Sequence, residues 1–422
     1  MIKAHIITIG NELLIGDTVN TNASWIGSKL TEWGFSVQKM ISIPDDFTPI
    51  TENIADSLDE ANLTIVTGGL GPTHDDITKK AVAQFFDSQF VENRHVLQHI
   101  EAIFEKRGFV MSKSNREQAM VPDVCEVLFN KQGTAPGMWF EKGESHMAIL
   151  PGVPYEMKHL MENQVFRKIK EYFPERDEVI TEYFKTAGIP ESTLSDKIGD
   201  LDEYTSNGVG IAYLPNPSGV TIRISATSEE KLVHLRKKLQ DRAGDYIYGK
   251  GKDLSLSRVV GQLLVEKNLT IAVAESCTGG FLANEITDIA GSSRYMMGGV
   301  IAYANEVKKE MLGVSQKSLD EDGAVSKTVA LQMAKGVAEQ LGANIGISTT
   351  GIAGPGGGTE EKPVGLVWMG FWIGGEHFAL KSIFTNNRLV NKERTVMVVL
   401  ECIRRKLLGM NSLPYELKPQ LP

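Results

Sequence analysis

Apolar residues along this chain fall into short runs separated by amphipathic stretches, and the two periods take turns. Ile2 to Ile9, Phe35 to Ile43 and Leu63 to Thr67 have the length and β-branched content of strands, whereas Asn22 to Trp33 and Thr48 to Leu58 place apolar residues at helical spacing. Strand alternating with helix predicts a mostly parallel sheet flanked by helices, here over residues 1–173. Lys170 to Val179, with Pro174 among charges, reads as a boundary. Shorter elements follow in 174–250: strand Thr181 to Ala187, a helix opened by Pro190, strands Val209 to Leu214 and Gly219 to Ala226, and helix Glu229 to Ala243. Pro215-Asn216-Pro217-Ser218-Gly219 between the two paired strands is a hairpin signal, so this is a small α+β module. Gly249-Lys250-Gly251-Lys252 reads as a linker. Alternation then resumes over 254–412, with strands Leu269 to Ala274, Met297 to Ala302 and Ile345 to Ser348. It closes on a helix from Leu389 in which Val396, Val399, Ile403 and Leu407 share one face. The fold class is therefore α/β: two α/β sandwich domains joined by a small α+β module.

Composition narrows the function classes. The 422 residues are 42% hydrophobic and 23% charged, ordinary for soluble domains, and the formal net charge of -9 without a basic stripe speaks against nucleic acid as a partner. The local Arg404-Arg405-Lys406 is read as complementing a helix C-terminus. Cys125, Cys277 and Cys402 make no Cys-x-x-Cys pair, so neither a zinc site nor a disulfide framework is expected. Met1 to Gly10 lacks a basic, cleavable leader pattern, and Gly365 to Gly375 is too short and glycine-broken to span a bilayer. A cytoplasmic protein without membrane partners is expected.

Strand ends carry the chemistry. Ala274-Glu275-Ser276-Cys277-Thr278-Gly279-Gly280 stands between a strand and a helix, where the first helical N–H groups are expected to be unpaired and to favour an anion or oxyanion. Tyr303-Ala304-Asn305 with Lys308, and Thr349 to Gly358, follow two further strands, so three turns can share one pocket beyond the strand ends. Serine needs a base. The local histidine, His377, lies in a hairpin, which leaves Lys308 or Tyr303; lowering a lysine from about 10.4 to about 7 costs roughly 4 to 5 kcal/mol and demands burial. Lys308-Lys309-Glu310 by itself has the look of a solvated face.

In the first region Thr67-Gly68-Gly69-Leu70-Gly71-Pro72-Thr73-His74-Asp75-Asp76 can cradle phosphate on glycine N–H groups and a helix N-terminus. Asp75 and Asp76 beside a phosphate call for a hard divalent cation, or else cap the next helix. Gly10-Asn11-Glu12 and the Pro151 to Met157 turn, with Glu156, end neighbouring strands. No dinucleotide fingerprint or P-loop is present.

These motifs resemble one family. Gly10-Asn11-Glu12-Leu13-Leu14, Thr67 to Asp76, Gly133-Thr134-Ala135-Pro136-Gly137 and Pro151-Gly152-Val153-Pro154 are similar to the N-terminal domain of the CinA family, itself similar to molybdopterin-binding, MogA-like domains. Lys185 to Ser192 resembles its KH-like insert. Ala274 to Gly280, Tyr303 to Lys308, Gly323-Ala324-Val325-Ser326 and Thr349 to Gly357 resemble its C-terminal nicotinamide mononucleotide deamidase domain. The resemblance implies a two-headed hydrolase: ammonia release from nicotinamide mononucleotide at the C-terminal head, and ADP-ribose cleavage to AMP and ribose 5-phosphate at the N-terminal head. It implies Ser276 as nucleophile with Tyr303 and Lys308 as activators, and Thr278, Gly279, Thr350, Gly351, Ala353, Gly354 and Arg388 around the nucleotide. Glu12, Gly68, Gly69, Gly71 and Thr73 would hold ADP-ribose, with Asp75, Asp76 and Glu156 toward a divalent metal (cobalt, magnesium or manganese), and potassium as a further ion. The deamidase needs no cofactor, and a homodimer is expected. The alternative for the N-terminal head is a non-catalytic pterin or nucleotide-binding module. The chain departs from the family pattern at Asn386-Asn387, where Gly-Asp is usual before the arginine, and at Asn391, where a second arginine is usual.

Overall fold

The computed structural model describes residues 2–73 and 77–422. The chain divides into two compact units, Met1–Ile180 and Thr181–Pro422.

The strands of the first unit are β1 (Ile2–Ile9), β2 (Phe35–Ile43), β3 (Leu63–Thr67), β4 (Phe90–Glu92), β5 (Met120–Pro122), β6 (Glu126–Leu128), β7 (Gly137–Lys142) and β8 (Ser145–Leu150). Six of them form one sheet in the order β2-β1-β3-β8-β7-β6, while β4 and β5 make a separate ribbon. Strands β2, β1, β3 and β8 run parallel, and β7 and β6 return antiparallel. Most of β1 and all of β3 are buried, as a parallel sheet covered on both faces requires. Helix Thr21–Glu32 packs Ala23, Ile26 and Leu30 onto one face with Trp139 and Leu150. Helices Phe47–Glu60 and Thr78–Phe85 cover the other face through Ile50, Ile54, Ala81 and Val82. The carboxyl ends of four parallel strands therefore share one edge.

The second unit holds two sheets. β9 (Ile180–Thr186), β10 (Gly210–Asn216), β11 (Gly219–Ala226) and β12 (Ile247–Lys250) are ordered β10-β11-β9-β12. The hairpin forms where the Pro-Asn-Pro-Ser-Gly turn predicts it, with Asn216 paired to Gly219. The supposed linker is partly sheet: Gly249 and Lys250 pair with Lys185 and Phe184, because the chain needs an edge strand beside β9 before it leaves the module. This small sheet packs in the same unit as the C-terminal one, and Ala187 belongs to the C-terminal core. Arg404-Arg405-Lys406 stands in the last turn of helix Arg388–Leu407, as expected, but two of the three are interior. Arg404 and Arg405 are buried around the Glu401 carboxylate at 2.7 and 2.6 Å, Arg404 also donates to the Asp245 carbonyl, and Lys406 pairs with Glu376.

The C-terminal sheet is β13 (Ile271–Glu275), β14 (Met296–Ile301), β15 (Ile345–Gly351), β16 (Leu366–Ile373) and β17 (Glu376–Ile383), in the order β14-β13-β15-β16-β17. The first three are parallel, and β16 and β17 complete the sheet antiparallel. Helices Leu256–Glu266 and Arg388–Leu407 share one core with this sheet; Lys327–Leu341 contributes Val329, Met333 and Val337 to another. Among the described residues, no helix is long and apolar enough to cross a membrane.

Candidate functional site

Each unit gathers polar turns at the carboxyl ends of its parallel strands. In the first unit, the turn after β3 is held open by backbone geometry. Gly68 has φ 114° and Gly69 φ 63°, conformations that L side chains rarely adopt. A Cβ at Gly68 would stand 2.1 Å from the Ile9 carbonyl, and one at Gly69 would stand 2.0 Å from Thr78 Oγ1. Glycine is therefore required by close approach of β1 on one side and of helix Thr78–Phe85 on the other. Thr67 Oγ1 donates to the Pro151 carbonyl at 2.8 Å, and Gly68 N–H donates to Leu150, tying this turn to the one after β8.

A cavity of about 130 Å³ opens at this edge, lined by Glu12, Asn20, Asn22, Thr67 and Gly152. A second, of about 450 Å³, is lined by Gly71, Thr73, Lys79, Phe90 and Gln118. Glu12 and the pair Gly71 and Thr73 thus lie in different cavities. Asp75 and Asp76, with His74, lie outside the described residues. Glu156 is buried and committed: its carboxylate accepts from Asn130 Nδ2 at 2.6 Å and packs so closely on Gly133 that a Cβ there would meet it at 2.0 Å. It holds the Gly133 to Gly137 loop in place. Asp45, at the end of β2, is a carboxylate that the sequence patterns do not single out; it accepts from the Asn11 N–H at 2.9 Å and stands near Gly69. The signal for it was its position after a parallel strand, shared with Glu12. Among the described residues, no three His, Cys, Asp or Glu side chains form a group that could hold a metal ion.

The second unit builds its site from side chains. Ser276 follows β13 and is half-buried, with its N–H on the Thr349 carbonyl at 2.9 Å. The helical N–H groups beyond it are not free, contrary to expectation. Glu275, 1% exposed, turns its carboxylate under the turn and accepts from the N–H groups of Gly280, Leu282 and Ala283 at 2.8 to 3.0 Å. The strand's last residue, and not an N-cap side chain, satisfies the start of helix Phe281–Thr287. Thr278 is buried against Thr349 through a 2.6 Å hydroxyl contact.

Lys308 is equally unlike a surface residue. It is 1% exposed on helix Asn305–Leu312, and Nζ donates to the carbonyls of Ala302 at 2.8 Å and Tyr303 at 3.1 Å. Burial pulls its pKa below the ordinary lysine value, opposed by the nearby Cys277 and Glu306. The Cys277 thiol is pushed up to about 12, first by burial, and stays protonated at neutral pH. The two carbonyls that seat Lys308 lie just after β14, the strand paired with β13.

Arg388 opens helix Arg388–Leu407 and bridges two turns. One guanidinium nitrogen reaches the Gly354 carbonyl and the other the Tyr303 hydroxyl, both at 3.1 Å. Tyr303 is 62% exposed, so it stands at the mouth of the site with Arg388. Thr350 points away: it is buried, and its hydroxyl donates to the Ala324 carbonyl at 2.7 Å. Gly351 and Gly354 have no room for side chains, facing the Leu366 carbonyl and Val364 respectively. Asn391 is wholly buried. It accepts from both Thr385 N–H and Oγ1 and donates to the Ala353 and Thr385 carbonyls. It fixes the loop that carries Ala353 and Gly354. His377 lies on β17 with Nε2 at the Leu331 carbonyl, away from this set.

Comparison with known proteins gives three family matches along the chain. Residues 5–171 match the family described as "Probable molybdopterin binding domain", 181–249 the damage-inducible protein CinA KH domain, and 253–407 the CinA C-terminal domain. A CinA-like protein of Cytophaga hutchinsonii is 41% identical over 413 residues, covering 96% of this chain and 98% of that protein. One from Chloroherpeton thalassium is 42% identical over 421 residues, covering 96% and 99%. Among solved structures, the CinA protein of unknown function from Thermoplasma acidophilum is 35% identical, covering 39% of this chain and 96% of that one, with a TM-score of 0.37.

Proposed function

The chain belongs to the CinA family, and on that premise we propose that it is a two-headed hydrolase acting on nicotinamide mononucleotide in its second unit and on ADP-ribose in its first. The observation that carries the first half is Lys308. Burial lowers the pKa of this lysine, which sits on two carbonyls close to Cys277 of the serine turn, and so favours its neutral form relative to an exposed lysine. With two N–H groups committed to Ala302 and Tyr303, the neutral amine keeps a lone pair for the proton of Ser276. Ser276 Oγ attacks the carboxamide carbon and Lys308 takes its proton. The proton passes to the departing nitrogen, which leaves as ammonia, and water then hydrolyses the ester to nicotinate mononucleotide. Glu275 already occupies three helical amides, so the oxyanion falls to the amides of the turn itself, Cys277, Thr278 and Gly279. The protonated, buried thiol of Cys277 favours Ser276 as the nucleophile. Ser276→Ala should retain substrate binding while ammonia release falls by orders of magnitude; wild-type-like turnover in that variant would overturn the assignment.

For the first unit, the glycine turn after β3 supports diphosphate binding by backbone amides. No step is assigned to a metal, because the described residues do not form its cage. ADP-ribose that binds the full chain yet yields no AMP with magnesium, manganese or cobalt would leave this unit a binding module.

A further inference from the structure

Away from the serine turn, the back of helix Arg388–Leu407 borders a second cavity. At about 100° per residue, Val390, Glu393 and Arg394 point away from Arg388. With Val398 they line a space of about 660 Å³ inside the second unit. The facing wall comes from the small α+β module, through Ile189, Pro190, Val220 and the Pro215 to Pro217 turn, and Ser382, Phe384, Tyr415 and Leu417 complete it. Small-molecule sites are of this size, favour such junctions, and combine a mostly apolar lining with a few polar groups. Two features distinguish it from a gap in packing. Tyr415 and Glu416 have φ of 52° and 55°, left-handed conformations at consecutive residues that are not glycine. The small module holds them there, since the Tyr415 N–H donates to the Gly188 carbonyl at 2.7 Å. Backbone strain of this kind concentrates at ligand clamps, and here it sets the Tyr415 side chain in the cavity wall. The second feature is charge. Glu191, Glu393 and Arg394 all line the cavity, and among the described residues none of them makes an ion pair or a hydrogen bond. Burial raises the Tyr415 pKa and the Arg394 charge opposes it, so the guanidinium stands near the phenol. Uncommitted charges of both signs around an apolar floor suit a ligand that carries both signs itself.

We infer that this cavity binds a short zwitterionic peptide, a dipeptide with apolar side chains, whose carboxylate pairs with Arg394 and Tyr415 and whose ammonium pairs with Glu393 and Glu191. The guanidinium fork and the phenol are both donors that a carboxylate can accept from. A dipeptide separates its two charges by one more peptide unit than an amino acid does. That separation suits Glu393 and Arg394, which are neighbours in sequence but diverge around the helix. The two side chains would cover Val220, Phe384, Val390 and Leu417. None of these residues belongs to the set around Ser276, so the site stands or falls apart from the deamidase reading.

Titration calorimetry of the full chain tests it with three probes: leucyl-phenylalanine, the same dipeptide acetylated at its N-terminus and amidated at its C-terminus, and free phenylalanine. The dipeptide should bind saturably at one site per chain. The capped form keeps both side chains and loses both charges, and should bind at least about tenfold more weakly, as should free phenylalanine. Arg394 is exposed, so Arg394→Gln should fold normally, which an unchanged urea midpoint checks. It should weaken the dipeptide about tenfold and leave the capped form unaffected. Glu393→Gln should do the same from the ammonium side, and excess nicotinamide mononucleotide should displace nothing. Absence of saturable dipeptide binding, equal binding of the capped form or of free phenylalanine, or unchanged dipeptide binding in Arg394→Gln would overturn the site.

Discussion

The turn after β3 and the turn after β13 each end a parallel strand at the carboxyl edge of its own sheet, one in each unit, and they are furnished in opposite ways. The first is made of backbone. Gly68 and Gly69 are there because Ile9 and Thr78 leave no space for a Cβ, and the nearby carboxylates Asp45 and Glu156 are spent on holding loops. The second is made of side chains: a carboxylate under the turn, a lysine buried behind it and an arginine across its mouth. Backbone donors suit a ligand that is gripped, such as a diphosphate, whereas covalent chemistry needs a proton acceptor whose charge has been tuned by burial. The same kind of sheet edge can therefore carry two kinds of site, and what differs is which groups are left uncommitted.

The largest effect that separates the two is chelation. EDTA should abolish AMP release from ADP-ribose and leave ammonia release from nicotinamide mononucleotide unchanged, because amide attack by an activated serine needs no metal. Parallel product assays on one preparation check this, and equal sensitivity of both activities would erase the distinction. Next is Lys308→Met, which keeps the length of the stem and removes the base. Ammonia release should drop by about 10²- to 10⁴-fold with AMP release unaffected.

Stability should divide along the same line. Glu275→Ala strands three amides in a buried turn and should cost about 2 to 3 kcal/mol, read as a lower urea midpoint for the second unit. Gly68→Ala forces a side chain at φ 114° against a backbone carbonyl, and should cost about 1 to 3 kcal/mol in the first unit while sparing ammonia release.

Much of this was legible in the sequence where the determinant is local. Strands Ile2–Ile9, Phe35–Ile43 and Leu63–Thr67 and helix Glu229–Ala243 begin and end where their apolar periods do. The strand-end turns could likewise be read from Ser276 and from the glycines after Thr67. What was not legible depends on distant partners. Lys308-Lys309-Glu310 has a surface composition, and only the carbonyls of Ala302 and Tyr303 at the end of β14 make Lys308 an interior residue. Glu275 caps a helix from the far side of a turn, outside the usual positions of capping residues. Arg405 is a helix-terminal residue in the sequence and in the structure, but its burial with Glu401, one turn back, is not legible from the sequence.

The smallest predicted effect concerns pH. Burial lowers the Lys308 pKa and the exposed Glu306 carboxylate raises it in part. Activity that requires the neutral amine rises with pH through that pKa. Glu306→Gln removes an opposing charge, so the ascending limb of kcat/KM for ammonia release should move to lower pH. A shift to higher pH would mean that the titrating group is not Lys308.

The central claim is that the second unit reacts through Ser276 by way of an ester. Acid quenching during turnover of nicotinamide mononucleotide, followed by peptide mapping by mass spectrometry, tests it most directly. The account predicts the nicotinate mononucleotide acyl group on Ser276, and diversion of that group to a hydroxamate when hydroxylamine is present. An adduct on Cys277, or hydroxylamine that diverts nothing, would contradict it.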